Sequence, residues 1–250
     1  MVTIVCAVFG QPNMLLRQLT EFANYQEDIR ENLRFIIVDD HGDPAVTPHV
    51  GALFNELFPT EVYRVEDEIN WNQMGARNLG MERAPDGWCL MIDPDMVIEA
   101  TTMFRMIAAT NKLGEGNLIK FGLKHVNEPK RDVDMSSPNT YLIQRSDFWK
   151  VKGYDEDFAG NKGWSDVQLL DQLSSHFKIH KRPDLHALFY STNQIDDAAV
   201  TSLDRSTKHN RGIRLKKVAQ ARRRGGWVRW TQERDNPTIR FKWTKVFPQT

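Results

Sequence analysis

The chain has 250 residues, 40% of them apolar and 26% charged, with 33 Lys and Arg against 33 Asp and Glu. That balance is ordinary for a soluble globular protein and excludes wholesale disorder, and no run approaches the roughly 18 uncharged apolar residues a membrane span needs. The zero net charge hides a division: residues 200–250 carry 14 basic and 3 acidic groups, leaving 19 and 30 for residues 1–199. An acidic body suits cations, and a basic tail suits an anionic partner or the body itself. Cys6 and Cys89 fall in apolar runs, where cysteine is a small buried hydrophobe, so a reducing, cytoplasmic setting is expected. The apolar N-terminus has no basic region before it and no small-residue cleavage site after it, and reads as a strand rather than a signal peptide.

In chain order, Val2–Phe9 is a β-rich run that stops at Gly10-Gln11-Pro12. Leu15, Leu16, Leu19 and Phe22 then recur at helical spacing, with Asn13 as the expected cap. Leu33–Val38 is a second strand, ending at Asp39-Asp40-His41-Gly42-Asp43. A helix over Val50–Leu57 leads to a third strand, Glu61–Val65. Asn70–Ala84 reads as a helix opened by a capping box of Asn70 and Gln73 and closed by Pro85-Asp86-Gly87. Trp88–Ile92 is a fourth strand, ending at Asp93-Pro94-Asp95; Thr101–Leu113 is a helix and Asn117–Leu123 a strand. Continuous apolar strands alternating with helices indicate a parallel sheet covered on both faces.

Beyond it, Lys124–Pro138 is polar and reads as a loop. Tyr141–Gln144 is a short strand, Asp147–Val151 a turn or short helix, and Gly153–Gly163 a loop. Val167–Ser174 is a helix capped by Ser165, Leu185–Tyr190 the last expected strand, and Ser206–Arg224 a basic helix ended by Gly225-Gly226.

In open α/β sheets, ligands bind beyond the carboxyl ends of the strands. Three strands here end in Phe9-Gly10, Asp39-Asp40 and Asp93-Pro94-Asp95. Carboxylates from separate strands are costly to crowd on one rim unless a cation or a hydrogen-bonding ligand sits between them. Mg²⁺ or Mn²⁺ takes oxygen ligands and keeps positions for substrate phosphates. Asp-Pro-Asp and Asp-Asp are also ordinary turn sequences, and it is their shared edge that sets them apart.

FIIVDD followed by HGD, then NQMGARNLGMERA, then CLMIDPDMVI resembles the nucleotide-binding half of GT-A glycosyltransferases, family 2 and its relatives. Residues 141–173, YLIQRSDFWKVKGYDEDFAGNKGWSDVQLLDQL, are similar to the acceptor-side segment of galactosyltransferase-like members. The resemblance spans residue 2 to about 190. It implies a Rossmann-like α/β fold with a mostly parallel sheet flanked by helices. Residues 1–200 would form that domain, with a nucleotide-binding half at 1–123 and an acceptor-side half at 124–200. Residues 201–250 would be a basic helical extension packed on the site or closing over it.

The roles implied are these. Val8, Phe9 and Gln11 line the nucleotide, and Asp39 or Asp40 accepts a hydrogen bond from the base, commonly uracil. Arg77 contacts the base or diphosphate, Asp93 the ribose or a metal-bound water, and Asp95 ligates Mn²⁺ or Mg²⁺. Asp166 is the general base for the acceptor hydroxyl, although Ser165 stands where relatives often carry Glu; as a first-turn acid Asp166 would also complement the helix dipole. Gly163 and Trp164 shape the sugar and acceptor pocket, and Asn72 and Asp155 reach toward the donor sugar. A third metal ligand is expected from His209 or His186.

The implied activity is metal-dependent, inverting transfer of a sugar from a nucleoside-diphosphate sugar, UDP favoured, to a hydroxyl acceptor. The tail segment Ser206–Trp230 interleaves cations with Trp227 and Trp230. It reads first as a structural element that neutralises the acidic body, then as a nucleic-acid contact that would make the protein a DNA-modifying glycosyltransferase, then as an anionic-membrane contact. A nucleotidyltransferase would normally show a Gly-rich first loop with a basic residue, which Gly10-Gln11-Pro12 lacks; a catalytically dead binding module is the other alternative.

Overall fold

The computed structural model describes residues 1–126, 139–190, 203–235 and 237–248. The expected loop Lys124–Pro138 therefore falls largely outside the described residues. Among the described residues nine strands form one sheet: β1 Val2–Val8, β2 Leu33–Asp39, β3 Thr60–Val65, β4 Trp88–Ile92, β5 Met96–Ile98, β6 Asn117–His125, β7 Tyr141–Gln144, β8 Lys178–Phe189 and β9 Trp243–Phe247. Their spatial order is β5-β8-β6-β7-β4-β1-β2-β3-β9. The run β3-β2-β1-β4 is parallel throughout, as the unbroken apolar strands predict. β7 joins antiparallel to β4 and to β6, and β9 closes the other edge antiparallel to β3.

The helices are α1 Pro12–Ala23, α2 Glu27–Arg30, α3 Pro48–Asn55, α4 Gln73–Arg83, α5 Ala100–Thr110, α6 Arg145–Lys150, α7 Ser165–His176, α8 Lys208–Arg223 and α9 Trp227–Glu233. Because side chains alternate across a strand, β1 feeds two cores. Ile4, Cys6 and Val8 join Phe22, Phe35, Phe54 and Phe58 on one face, under α1, α3 and α5. Val5 and Ala7 join Leu79, Phe148, Tyr154 and Leu169 on the other, under α4 and α7. Gly80 sets the closeness of α4 to the sheet, since a Cβ there would lie 2.4 Å from Val5 Cγ1.

Three expected caps are corrected. α1 starts at Pro12, whose missing N–H costs nothing at a helix start, and Asn13 lies inside the helix. α4 starts at Gln73 rather than Asn70, because Trp71 holds a φ of 52°, outside the right-handed helical region, and Asn72 at the N-cap makes no side-chain cap hydrogen bond. α7 is preceded by Trp164 in a left-handed conformation, and Ser165 is its first helical residue. β8 runs seven residues further toward the N-terminus than expected; its polar first half, KIHKRPD, pairs with β6 without burying an apolar face. β5 and β9 were unforeseen, one because Met96–Ile98 is too short to show a pattern, the other because Trp243–Phe247 sits in a stretch read only for charge.

Candidate active site

β1 is flanked by β2 and β3 on one side and by β4 on the other, so the chain reverses its direction of travel across the sheet between β1 and β4. Ligand crevices form beyond the carboxyl ends of strands at such a switch point. The loops that leave β1, β2 and β4 meet there. Gly10 has φ +57°, and a Cβ on Gly42 would lie 2.3 Å from the Gly10 amide nitrogen, so the first two loops touch backbone to backbone.

The two aspartates that end β2 have different surroundings. Asp39 accepts hydrogen bonds from the Gly42 amide at 2.7 Å and the Val46 amide at 2.9 Å and pairs with Arg64, which shapes the loop. Asp40 is buried and accepts from Asn72 Nδ2 at 3.0 Å. Burial pushes its carboxyl up to about 7, against the Asn72 hydrogen bond, which lowers it. Val8 is buried, with its carbonyl accepting the Asp40 amide at 2.8 Å, while Phe9 and Gln11 are half-buried on the same rim.

Across the crevice, Arg77 projects from α4 and pairs with Asp93. Its guanidinium lies 5.6 Å from the Tyr154 ring centre. Gln18 donates to the Asp93 carbonyl at 2.8 Å and the Met96 carbonyl at 2.7 Å, which fixes the Asp-Pro-Asp turn. Asp95 Oδ1 is buried with no hydrogen-bond partner, and burial, reinforced by Asp93, pushes the Asp95 carboxyl up to about 7. A half-buried carboxylate with an orphaned oxygen beside a second carboxylate is a hard-oxygen donor set suited to Mg²⁺ or Mn²⁺. Among the described residues no three His, Cys, Asp or Glu side chains come together as a metal group. His209 is exposed near the start of α8, and His186 sits in β8 against Gly122. Neither joins Asp93 and Asp95 in such a group.

A cleft of about 190 Å³ is lined by Trp71, Met74, Arg77, Asn139, Gly163 and Asp166, among others. Asp166 stands in the first turn of α7, where its Oδ1 accepts the Val167 amide at 2.8 Å. Trp71 and Trp164 both hold positive φ, 52° and 71°, a conformation that costs on the order of 1–3 kcal/mol for such residues and gathers at functional sites. Trp164 itself faces Arg214, whose guanidinium lies 5.5 Å from its ring centre, while Gly163 and Ser165 reach the cleft. Asp155 is directed elsewhere: it is buried against Lys217 Nζ at 2.6 Å and Gln168 Nε2 at 3.1 Å, not among the cleft residues.

Sequence reasoning passed over Lys120. It is fully buried in β6, donates to the Thr140 carbonyl at 3.2 Å, and lies 5.7 Å from the Tyr141 ring centre. Burial pulls its ammonium down to about 7, while Asp93 and Asp166 both act to raise it. Lys120 is thus within electrostatic reach of the β4 turn and of the α7 acid. The available signal was a lysine inside the apolar run of Asn117–Leu123.

The profile of the glycosyl transferase family 2 matches residues 3–164, well over half of the chain. The chain belongs to glycosyl transferase family 2. Solved structures show the same GT-A fold at low identity. One is S. aureus TarS 1–349 in complex with UDP-GlcNAc, with a TM-score of 0.61, 12% identity, and coverage of 87% of this chain and 65% of that one. Another is the mannosyltransferase PcManGT from Pyrobaculum calidifontis in complex with GDP-Man and Mn²⁺, with a TM-score of 0.56, 14% identity, and coverage of 89% and 64%. This family 2 chain therefore spans less than two thirds of either. None of the curated proteins matches it. No helix among its described residues is long and apolar enough to cross a membrane.

Proposed function

We propose that this family 2 protein is an inverting glycosyltransferase that moves a sugar from a nucleoside-diphosphate donor, UDP-linked in the favoured case, to a hydroxyl acceptor with the help of a divalent cation. The observation that carries the reading is that Arg77 lines one cleft with Asp166 while pairing with Asp93, which itself acts on Asp95. Asp40 and Asn72 would receive the base, as the buried hydrogen-bonded pair on the nucleotide side. Asp95, with Asp93 beside it, would hold Mg²⁺ or Mn²⁺, and such an ion, when bound, supplies Lewis-acid stabilisation to a departing diphosphate.

The chain's own groups supply the rest. Asp166 takes the proton of the acceptor hydroxyl as that oxygen bonds to the anomeric carbon. The bond from the anomeric carbon to the β-phosphate oxygen breaks, and its electron pair leaves with the nucleoside diphosphate. Arg77 places positive charge beside the region where the leaving group gathers negative charge. A single carboxylate facing the acceptor gives one displacement and an inverted anomeric centre. With water as acceptor, UDP-GlcNAc and other UDP-sugars incubated with protein and Mn²⁺ should release a sugar whose first-formed anomer, read by rapid proton NMR, is the β form from an α-linked donor. First formation of the α form would remove Asp166 from this role.

A further inference from the structure

The acidic body uses only part of the tail's charge. On the inward side of α8, Asn210 donates to the carbonyls of Phe158, Asn161 and Gly163, Lys217 pairs with Asp155 and Asp157, and Arg214 pairs with Asp171. On the outward side, Lys208, Arg211, Lys216, Arg222 and Arg223 are exposed, and none of the five side chains pairs with an acidic group of the described residues. α8 contains no acidic residue at all.

The arrangement of these cations has a shape. At about 100° per residue, Arg211 and Arg222 fall on one flank of the exposed half of α8 and Lys216 and Arg223 on the other. Gly212, Leu215 and Ala219 run along the crest between them, with Lys208 at its start. A convex rod with cations on both flanks and an uncharged crest beyond Lys208 fits a groove walled by phosphates on two sides. The major groove of B-form DNA, roughly 12 Å wide, admits one α-helix, unlike the narrow major groove of an RNA duplex, and a helix of 16 residues is about 24 Å long.

Other anionic partners fit less well. A bilayer would meet the crest, where Leu215 is the sole large apolar side chain, too little for an interfacial helix. A single strand would look for stacking rings, but Trp230 is buried and Trp227 packs edge-on against it at 5.2 Å between ring centres. We infer that the outward face of α8 is a docking surface for double-stranded DNA, held by phosphate contacts on both flanks of the helix. Asn210, on the opposite face, fastens the same helix to the loop bearing Gly163 and leaves the outward face open. This inference stands apart from the donor-site reading, and failure of sugar transfer would leave it untouched.

The test is fluorescence anisotropy of the full chain with a labelled 20-base-pair duplex across a salt series. Five phosphate contacts predict a slope of log affinity against log salt of about −4.5, at roughly −0.9 per contact. The variant K208Q/R211Q/K216Q/R222Q/R223Q should lose at least about 100-fold in affinity at low salt and flatten the slope to about −1 or less. The milder pair R222E/R223E should weaken binding in the same direction. Hydrolysis of UDP-sugars and circular dichroism, unchanged in both variants, would show that the fold is intact. Equal DNA affinity in the wild type and the five-fold variant would overturn the inference. So would tighter binding to 3:1 phosphatidylcholine–phosphatidylglycerol vesicles than to duplex, or a variant-sensitive dimer in sedimentation without DNA binding.

Discussion

Asp40 and Asp166 are both acids near one crevice, but they face different physical demands. Asp40 is buried against Asn72 with its carboxyl pushed up to about 7 by desolvation, which makes it a stability group. A carboxyl raised in the folded protein stabilises it fully below its unfolded value, near pH 4, and that contribution is lost as the pH climbs through about 7. The stability of the wild type relative to Asp40→Asn should therefore fall by on the order of 4 kcal/mol between pH 4 and pH 8, measured by urea unfolding. A difference independent of pH would show that Asp40 is not held in a desolvated site. Asp166→Asn should retain UDP binding within about two-fold and lose at least 100-fold in turnover, the range general bases contribute. Normal turnover in that variant would remove the base. The Asp-Asp and Asp-Pro-Asp endings were legible in the sequence because strand ends announce themselves by composition. The separate partnering of Asp39 and Asp40 was not, since it depends on Arg64 and Asn72, 25 and 32 residues further on.

Between elements, the contact of α8 with the segment before α7 ties the tail to the body. Lys217 Nζ lies 2.6 Å from both Asp155 and Asp157, with Asp155 buried and Arg240 also pairing with Asp157 at 2.9 Å. Breaking a buried ion pair by removing one partner costs about 3–5 kcal/mol, because the other charge stays buried. Lys217→Met should therefore lower unfolding stability by about 3 kcal/mol, and a loss below about 1 kcal/mol would mean the contact is incidental. Asp155 illustrates where sequence reading stops. The family resemblance implied a reach toward the donor sugar, yet its direction is set by a lysine 62 residues away in a segment without a recognisable motif. The parallel core β3-β2-β1-β4, by contrast, followed from runs such as Val2–Val8 and Leu33–Asp39, which are apolar at consecutive positions because both sheet faces are covered. β9 escaped notice because its side chains are only half-buried and it gains its place by pairing with the β3 edge.

Across the molecule, the division of charge along the chain becomes a division in space. Acidic groups crowd the crevice and the α7 side of the body, where the tail's inward cations neutralise part of them. The outward cations of α8 remain for a partner. The crevice keeps an excess of carboxylate that the chain itself does not balance: Arg77 answers Asp93, while the buried Asp95 Oδ1 has no hydrogen-bond partner. A buried carboxyl oxygen left without a partner is costly and marks a site that a ligand would complete. The most direct measurement is calorimetric titration of UDP into the wild type and Asp95→Asn, each with and without Mn²⁺. UDP should bind the wild type at least ten-fold more tightly when Mn²⁺ is present, and Asp95→Asn should lose that gain while folding normally. Binding that ignores Mn²⁺, or a Mn²⁺ effect that survives in Asp95→Asn, would contradict the site described.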